Sequence, residues 1–476
     1  MPTRPVRPTY PIEPWVFREL EQADFGDARL TARILQLVSD LGSHPEWSLA
    51  SLYEGDWASL KAGYRFFDNA AVTPSAILAP HREATWARSV GQSRILVAQD
   101  TTYLNFTGHA ATQGLGPVES LNDRGLMVHS GLAITTDGVP LGIVAQQMWA
   151  RDPDTFGKSR QRRSTRLEDK ESYRWIETAE EAIQGVPDGT RPVIVGDRES
   201  DIFDVFVAAH AAPYDVLVRG AWNRRLIDHP AGHLWPAVEA APVLGTWVID
   251  VPRKEGQPVR QARLAGQTTR VSLAPPAHRR VESLSPVSMT VVLAREVDPP
   301  PNTTAIEWLL LTTLPVETLA DAQTIVQWYT YRWRIERLHF VLKTGGCFVE
   351  KLQLETVDRL TRAITVYTII AWRILWMTYH SRQEPNQPYA VAFTPEEQRA
   401  LWLLHERQRP RKGPRAAPGD PSQPLTLREA MHTMAKLGGF LGRKSDGEPG
   451  VKTLWRGYRQ LQWILLGMHL AAFDGE

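Results

Sequence analysis

The run Tyr329-Thr330-Tyr331-Arg332-Trp333-Arg334-Ile335-Glu336-Arg337-Leu338-His339-Phe340-Val341-Leu342-Lys343 closes a helical pattern that begins near Leu319. Within it Tyr329, Arg332, Glu336 and Lys343 stand at offsets of 0, 3, 7 and 14. At about 100° per residue they lie at roughly 0°, −60°, −20° and −40° around a helix. All four therefore share one narrow stripe, about 21 Å long at 1.5 Å per residue. A seam of Tyr, Arg, Glu and Lys is not a hydrophobic core. It reads either as a solvated face with an Arg–Glu pair at i, i+4, or as a working face. In the second reading Glu336 helps to hold divalent metal, and the cationic and phenolic groups beside it hold the phosphates of a DNA strand.

Upstream, two short apolar runs each end in an acid. Ile95-Leu96-Val97-Ala98 leads to Gln99-Asp100, and Pro192-Val193-Ile194-Val195 leads to Gly196-Asp197. Both read as buried strands. Neighbouring strands can bring two such carboxylates together, although one alone can equally cap a turn or a helix. Glu199 and Asp201 in the same Asp-Arg-Glu-Ser-Asp run leave the second position ambiguous. Asp100, Asp197 and Glu336 form an oxygen-only set, which selects Mg²⁺ or Mn²⁺ over zinc. Two such ions about 4 Å apart stabilise the attacking and leaving oxygens of an in-line phosphoryl displacement. That chemistry needs Arg and Lys around the developing charge and no covalent nucleophile.

Around these blocks the chain alternates in character. Trp15 to Phe67 reads as a helical bundle with a basic face, from Leu30, Ile34, Leu37 and Leu41 together with Arg29, Arg33, Lys61 and Arg65. Gly131–Thr135 and Val139–Gln146 read as strands joined at Asp137-Gly138, and Lys170–Gln184 as a helix. Asp215–Arg219, Thr246–Val251, Met289–Val297 and Trp308–Thr312 are β-rich, and Leu425–Phe473 is helical again. The expected class is α/β, a mixed core with a β-rich insertion. Arg151–Arg166 and Glu406–Pro424 are basic stretches that read as surface loops.

Composition sets outer limits. The 476 residues exceed one compact core, and 43% apolar content suffices for folding. A net charge of +1 excludes only a uniformly basic protein. Of the 54 basic residues ten are lysines, so the chain is rich in the planar guanidinium fork that suits phosphates and base edges. With Cys347 alone there is no disulfide and no cysteine-based zinc site. Met1–Pro14 lacks the apolar core of a signal peptide, and the apolar run Ala363–Trp372 is too short for a membrane span of roughly 20 residues. A soluble, cytoplasmic protein with no membrane partner is expected.

The spacing Y-x2-R-x3-E-x6-K resembles the signature of the IS-four family of DDE transposases, most of all its Tn-five-type members. Gly26–Arg33 and Gly63–Phe66 look like that family's N-terminal DNA-binding part, and Asp100–Thr102 and Gly196–Ile202 like its first two catalytic blocks. Trp308–Thr312 and Leu437–Phe440 continue the match. The resemblance implies a ribonuclease-H-like catalytic core at 76–380, with a β insertion at about 205–315. It implies a helical DNA-binding domain at 1–75 and a helical dimerisation domain at 381–476. Asp100, Asp197 and Glu336 would be the catalytic metal ligands, with two Mg²⁺ ions per site that Mn²⁺ can replace. The partners would be double-stranded DNA, as transposon-end inverted repeats and target, and a second copy in the DNA complex. Cut-and-paste transposition would proceed by nicking, a hairpin intermediate and transfer of 3′-OH ends. Trp333 would stack on a flipped base and Trp308 would fill the vacated space. Tyr329, Arg332, Lys343, His339 and Arg219 would join Arg29, Arg33 and Arg65 as DNA contacts. Phe340 stands where a basic residue is expected. A structure-specific nuclease and a silent DNA-binding inhibitor are the alternatives.

Overall fold

The computed structural model describes residues 12–157, 170–251, 259–277, 279, 284–408, 423–443 and 446–473. The chain begins with helices: α1 (Pro14–Leu20), α2 (Ala28–Ser43), α3 (Leu49–Leu52), α4 (Trp57–Asp68) and α5 (Pro74–Ala87). Asp27, Ser48, Asp56 and Thr73 each accept a backbone N–H of the turn they open, which fixes where these helices start.

The middle of the chain builds one ten-stranded sheet. Its elements are β1 (Arg94–Asn105), β2 (Gly116–Pro117), β3 (Arg124–Thr135), β4 (Pro140–Trp149), α6 (Arg174–Ala182), β5 (Arg191–Gly196), α7 (Phe203–Ala211) and β6 (Asp215–Arg219). They continue with α8 (Leu234–Glu239), β7 (Val243–Val251), β8 (Arg260–Leu273), β9 (Val287–Glu296) and β10 (Glu307–Thr312). β1 lies between β3, antiparallel to it, and β5, parallel to it; β6 continues parallel to β5. The order β4-β3-β1-β5-β6 is that of a ribonuclease-H-like core. β5 is apolar and buried along its length after Arg191, as a central parallel strand requires. The insertion is part of the same sheet. β7, β8, β9 and β10 pair in antiparallel sequence, and β10 docks antiparallel on β6.

On one face α6, α7 and α8 bring Trp175, Phe206 and Leu234 over Ile194, Val216 and Val291. The other face carries α9 (Leu319–Tyr331), α10 (Trp333–Phe340), α11 (Val357–Gln383), α12 (Pro395–Gln408), α13 (Leu427–Leu437) and α14 (Val451–Phe473). The N-terminal helices share this second core: Leu37, Phe66, Tyr367 and Trp455 belong to it together. The expected borders at 75/76 and 380/381 fall within α5 and α11. Among the described residues no helix is long and apolar enough to cross a membrane. Residues 1–11, 158–166 of the first basic loop with 167–169 after it, and 409–422 of the second lie outside the described residues.

The helix that decided the sequence reading is not continuous. Thr318 and Asp321 form a capping box that starts α9. At Arg332 the ladder tightens: Arg332 N–H donates to the Tyr329 carbonyl at 3.1 Å, and Ile335 N–H to the Arg332 carbonyl at 3.1 Å. A π turn over Val341–Gly345 follows α10. Such departures from the i→i−4 ladder change which side chains share a face.

Candidate active site at the carboxyl edge of the sheet

β1 and β5 run parallel, with Ala98 opposite Val195. Two residues further along both strands, Asp100 and Asp197 come level. Asp100 is still inside β1, opposite Ser130 of β3. Asp197 has left β5, and its carboxylate accepts Glu199 N–H at 2.8 Å in the short turn Arg198–Ser200. Glu336 approaches from the first turn of α10.

Arg332 ties the group together. Its guanidinium donates to Glu336 Oε1 at 2.6 Å and lies 3.9 Å from Asp100 Oδ1. His339 Nδ1 is 3.6 Å from Asp100 Oδ2. Burial pushes the Asp197 carboxyl above its usual range; the charges of Asp100 and Glu336 push the same way, and Arg332 opposes them. The three carboxylates thus face one another electrically. Among the described residues no three metal-ligating groups stand at closed ligand spacing, and the Arg332 guanidinium contacts both Asp100 and Glu336. The donor set fits a hard divalent ion. Arg332 Nε is a buried donor without an acceptor, and His339 Nε2 is buried without a hydrogen-bond partner. An orphaned donor such as Arg332 Nε costs about 1–3 kcal/mol, so it also fits a site made to receive an anion.

The three acids of Asp-Arg-Glu-Ser-Asp differ in their partners. Glu199 pairs with Arg174 at 3.0 Å, and burial followed by the Asp197 charge raises its carboxyl. Asp201 is buried in a different contact, with Arg224 and the backbone of Ala221 and Trp222. Only Asp197 of the three opens toward Asp100 and Glu336 without a cationic partner of its own. Arg174 was not foreseen. It donates to Thr101 Oγ1 at 3.1 Å as well as to Glu199, so it braces the residue after Asp100. It opens a helix 74 residues after Asp100, and nothing in its local pattern marks it.

The single stripe on an ideal wheel needs correction. Tyr329 is 1% exposed and packs edge-on against Trp308, ring centroids 6.1 Å apart. His339 is also buried, against Asp100. Neither is a surface contact in this structure: Tyr329 is packed on Trp308 of β10 and His339 on Asp100 of β1. Glu336 remains half exposed and Trp333 is 38% exposed. Lys343 Nζ donates to the Tyr103 carbonyl at 2.9 Å and lies 4.3 Å from the Tyr103 ring centroid. Trp308 is half-buried, and Arg219 at the end of β6 donates to the Glu307 carbonyl at 3.2 Å.

The N-terminal basic residues are not brought to the carboxylates. Arg29 opens α2, fully exposed and forked with Asp27, whose carboxyl it lowers to about 2. Arg33 is half-buried on α2, and Arg65 is exposed on α4.

Three family matches lie in order along the chain. Residues 12–72 match the transposase DNA-binding family, 158–373 the transposase DDE domain, and 369–474 the transposase Tn5 dimerisation domain. Asp197 and Glu336 fall inside the DDE match, and Asp100 joins them through the register of β1 with β5.

Proposed function

The chain belongs to the Tn5-like DDE transposases, dimerising DNA-binding enzymes of divalent-metal-dependent phosphoryl transfer, and we propose that it acts by cut and paste. It recognises terminal inverted repeats, nicks at the transposon end and turns the freed 3′-OH onto the opposite strand as a hairpin. Water reopens the hairpin, and the 3′-OH ends join target DNA. The observation that carries this reading is the convergence of Asp100, Asp197 and Glu336 around Arg332.

Asp100, Asp197 and Glu336 would hold two Mg²⁺ ions, with Mn²⁺ able to substitute. Those ions, when bound, supply charge stabilisation for the attacking and leaving oxygens. Arg332 then gives up Glu336 and turns its fork to the scissile phosphate. His339 keeps Asp100 oriented through Nδ1 and lies beside the same phosphate. Lys343 exchanges the Tyr103 carbonyl for a phosphate further along the strand, and Tyr329 supports Arg332 from below, with the guanidinium carbon 5.9 Å from its ring centroid. Trp333 offers its exposed face to a flipped base, and Trp308 moves from Tyr329 into the gap. Unstacking costs a few kcal/mol, and an aromatic platform offsets it. Arg219 contacts the DNA from β6, and Arg29, Arg33 and Arg65 contact the repeat. Two copies pair through the C-terminal helices, each cutting the end that its partner mainly holds.

The test uses purified protein and duplexes carrying the inverted repeats that border its gene. Glu336→Ala should abolish cleavage and leave end binding largely intact, because it removes a metal ligand and no phosphate contact. Wild-type turnover by that variant overturns the three-carboxylate site. Nicking by the wild type without joining of precut ends to target DNA would favour the nuclease.

A further inference from the structure

Asp201, the second aspartate of Asp-Arg-Glu-Ser-Asp, takes no part in the carboxylate cluster, yet its side chain is wholly buried. Both carboxylate oxygens are used. Oδ2 accepts Ala221 N–H at 2.7 Å and Trp222 N–H at 3.0 Å, and Oδ1 accepts Arg224 Nε at 2.8 Å. Arg224 also donates to the Asp201 carbonyl at 2.6 Å. One buried carboxylate therefore fixes the chain from 221 to 224. The loop is held from other sides too. Gly220 N–H donates to the Leu309 carbonyl at 2.7 Å, and a Cβ on Gly220 would come within 2.9 Å of Leu309 and Leu311 side-chain carbons. Asn223 Oδ1 accepts Trp235 N–H at 2.9 Å.

This rigid loop leaves the Trp222 side chain 64% exposed. A loop needed only to turn the chain would not hold so large an apolar group in water. Its position gives the reason. Val218 pairs with Gly196, so Arg219 is level with Asp197 and the loop leaves the sheet at the carboxylate edge. Leu310 pairs with Arg219, which sets Trp308 opposite the start of the loop. Arg219 and the exposed Arg225 flank Trp222 in sequence. An exposed indole held on fixed backbone, in a loop that also carries Arg219 and Arg225, has the chemistry of a stacking contact for nucleic acid.

We propose that Trp222 stacks on a nucleotide of the strand carrying the scissile phosphate, and that Asp201 is the positioning residue that presents it. The proposal rests on the transposase reading, with the carboxylate cluster as the place where that phosphate sits. The contact belongs to a loop after β6, distinct from Trp333 on α10 and Trp308 on β10.

The test is end binding, read without cleavage in EDTA. The probe is a duplex bearing the bordering inverted repeat, with 2-aminopurine beside the cleavage position. Trp222→Ala should raise the dissociation constant about tenfold, as loss of one base–aromatic stack does, and remove the 2-aminopurine quenching. Trp222→Tyr should restore most of both. Asp201→Asn should weaken binding similarly, and adding Trp222→Ala to it should cost little more, because both act through one contact. Trp222 is exposed, so its variants should melt as wild type does. Unchanged binding in Trp222→Ala, or an equal loss with Tyr, overturns the proposal. Weaker binding with the 2-aminopurine quenching unchanged overturns the strand assignment. Because cleavage is not read, an error in the metal-ligand assignment shows in the turnover of Glu336→Ala and leaves this result untouched.

Discussion

Arg332→Met should cost the metal-free protein stability that a divalent ion gives back. The guanidinium sits 2.6 Å from Glu336 and 3.9 Å from Asp100, and is itself 7% exposed. At an effective dielectric of about 20, one unit-charge pair at 4 Å is worth about 4 kcal/mol before solvation is counted. Breaking a fully buried pair costs roughly 3–5 kcal/mol, and an exposed i, i+4 pair is worth only about 0.3–0.5 kcal/mol. Glu336 is half exposed and regains water, whereas Asp100 does so little. A loss of about 2 kcal/mol follows, between the two limits. Met keeps the buried stem, so the change isolates charge. In EDTA the variant should melt a few degrees below wild type. With Mg²⁺ at millimolar concentration the gap should close, as the ion takes over charge that Arg332 had neutralised. The variant should also gain more from Mg²⁺ than wild type does, because no fork competes for Glu336. Equal melting in EDTA, or a gap that Mg²⁺ leaves unchanged, refutes the view of Arg332 as internal counter-ion.

Trp333→Ala should slow hairpin closure more than first-strand nicking, measured by resolving the two products on denaturing gels; equal losses count against base stacking. Gly457→Ala should destabilise the α13–α14 pair by about 1–3 kcal/mol, since the new Cβ would lie 2.0 Å from the Met434 carbonyl oxygen; thermal unfolding reads this, and an unchanged midpoint refutes the close approach. Burial, with the Glu397 charge adding, raises the Glu13 carboxyl to about 8. An acid whose pKa is higher folded than unfolded binds more protons when folded, so its stabilisation is lost as pH rises from about 5 to 8. Glu13→Gln should flatten that fall in melting temperature, and an unaltered slope would show that Glu13 does not titrate there.

The strands that place the carboxylates were legible because each is a short apolar run ended by an acid, a pattern that needs no tertiary knowledge. β8 was not, since Arg260-Gln261-Ala262-Arg263 and Gly266-Gln267-Thr268-Thr269-Arg270 are small or polar, and β7 and β9 on either side make it a strand. The Tyr329–Lys343 spacing marked the segment that carries Arg332 and Glu336, but an ideal wheel could not show that Tyr329 is buried against Trp308. What separates Asp197 from Glu199 and Asp201 was closed to local reasoning, because it lies in the partners of the latter two, Arg174 on α6 and Ala221, Trp222 and Arg224 beyond β6. Residues that act through distant partners leave no periodic trace. Arg174 and Asp201 are of that kind, whereas Glu336 sits inside a pattern.

Part of the near balance of 54 bases and 53 acids is paired off inside the fold. Many arginines are committed inside the fold as forks on carboxylates, such as Arg88 on Glu19, Arg224 on Asp201, Arg260 on Glu296 and Arg279 on Asp204. A lysine, a point charge on a flexible stem, could not grip a carboxylate and a carbonyl of the same residue as Arg224 does. The preference for Arg over Lys therefore serves architecture before it serves DNA. Net charge then says little about affinity, because committed pairs cancel. What remains for phosphate is the exposed minority, such as Arg65 on α4, and any pair that opens on binding. Arg332 is such a pair: its fork neutralises Asp100 and Glu336 in the free chain. Divalent ions at those carboxylates would release it beside the phosphate whose charge grows in the reaction, and under the proposed mechanism the same guanidinium would serve stability first and catalysis afterwards.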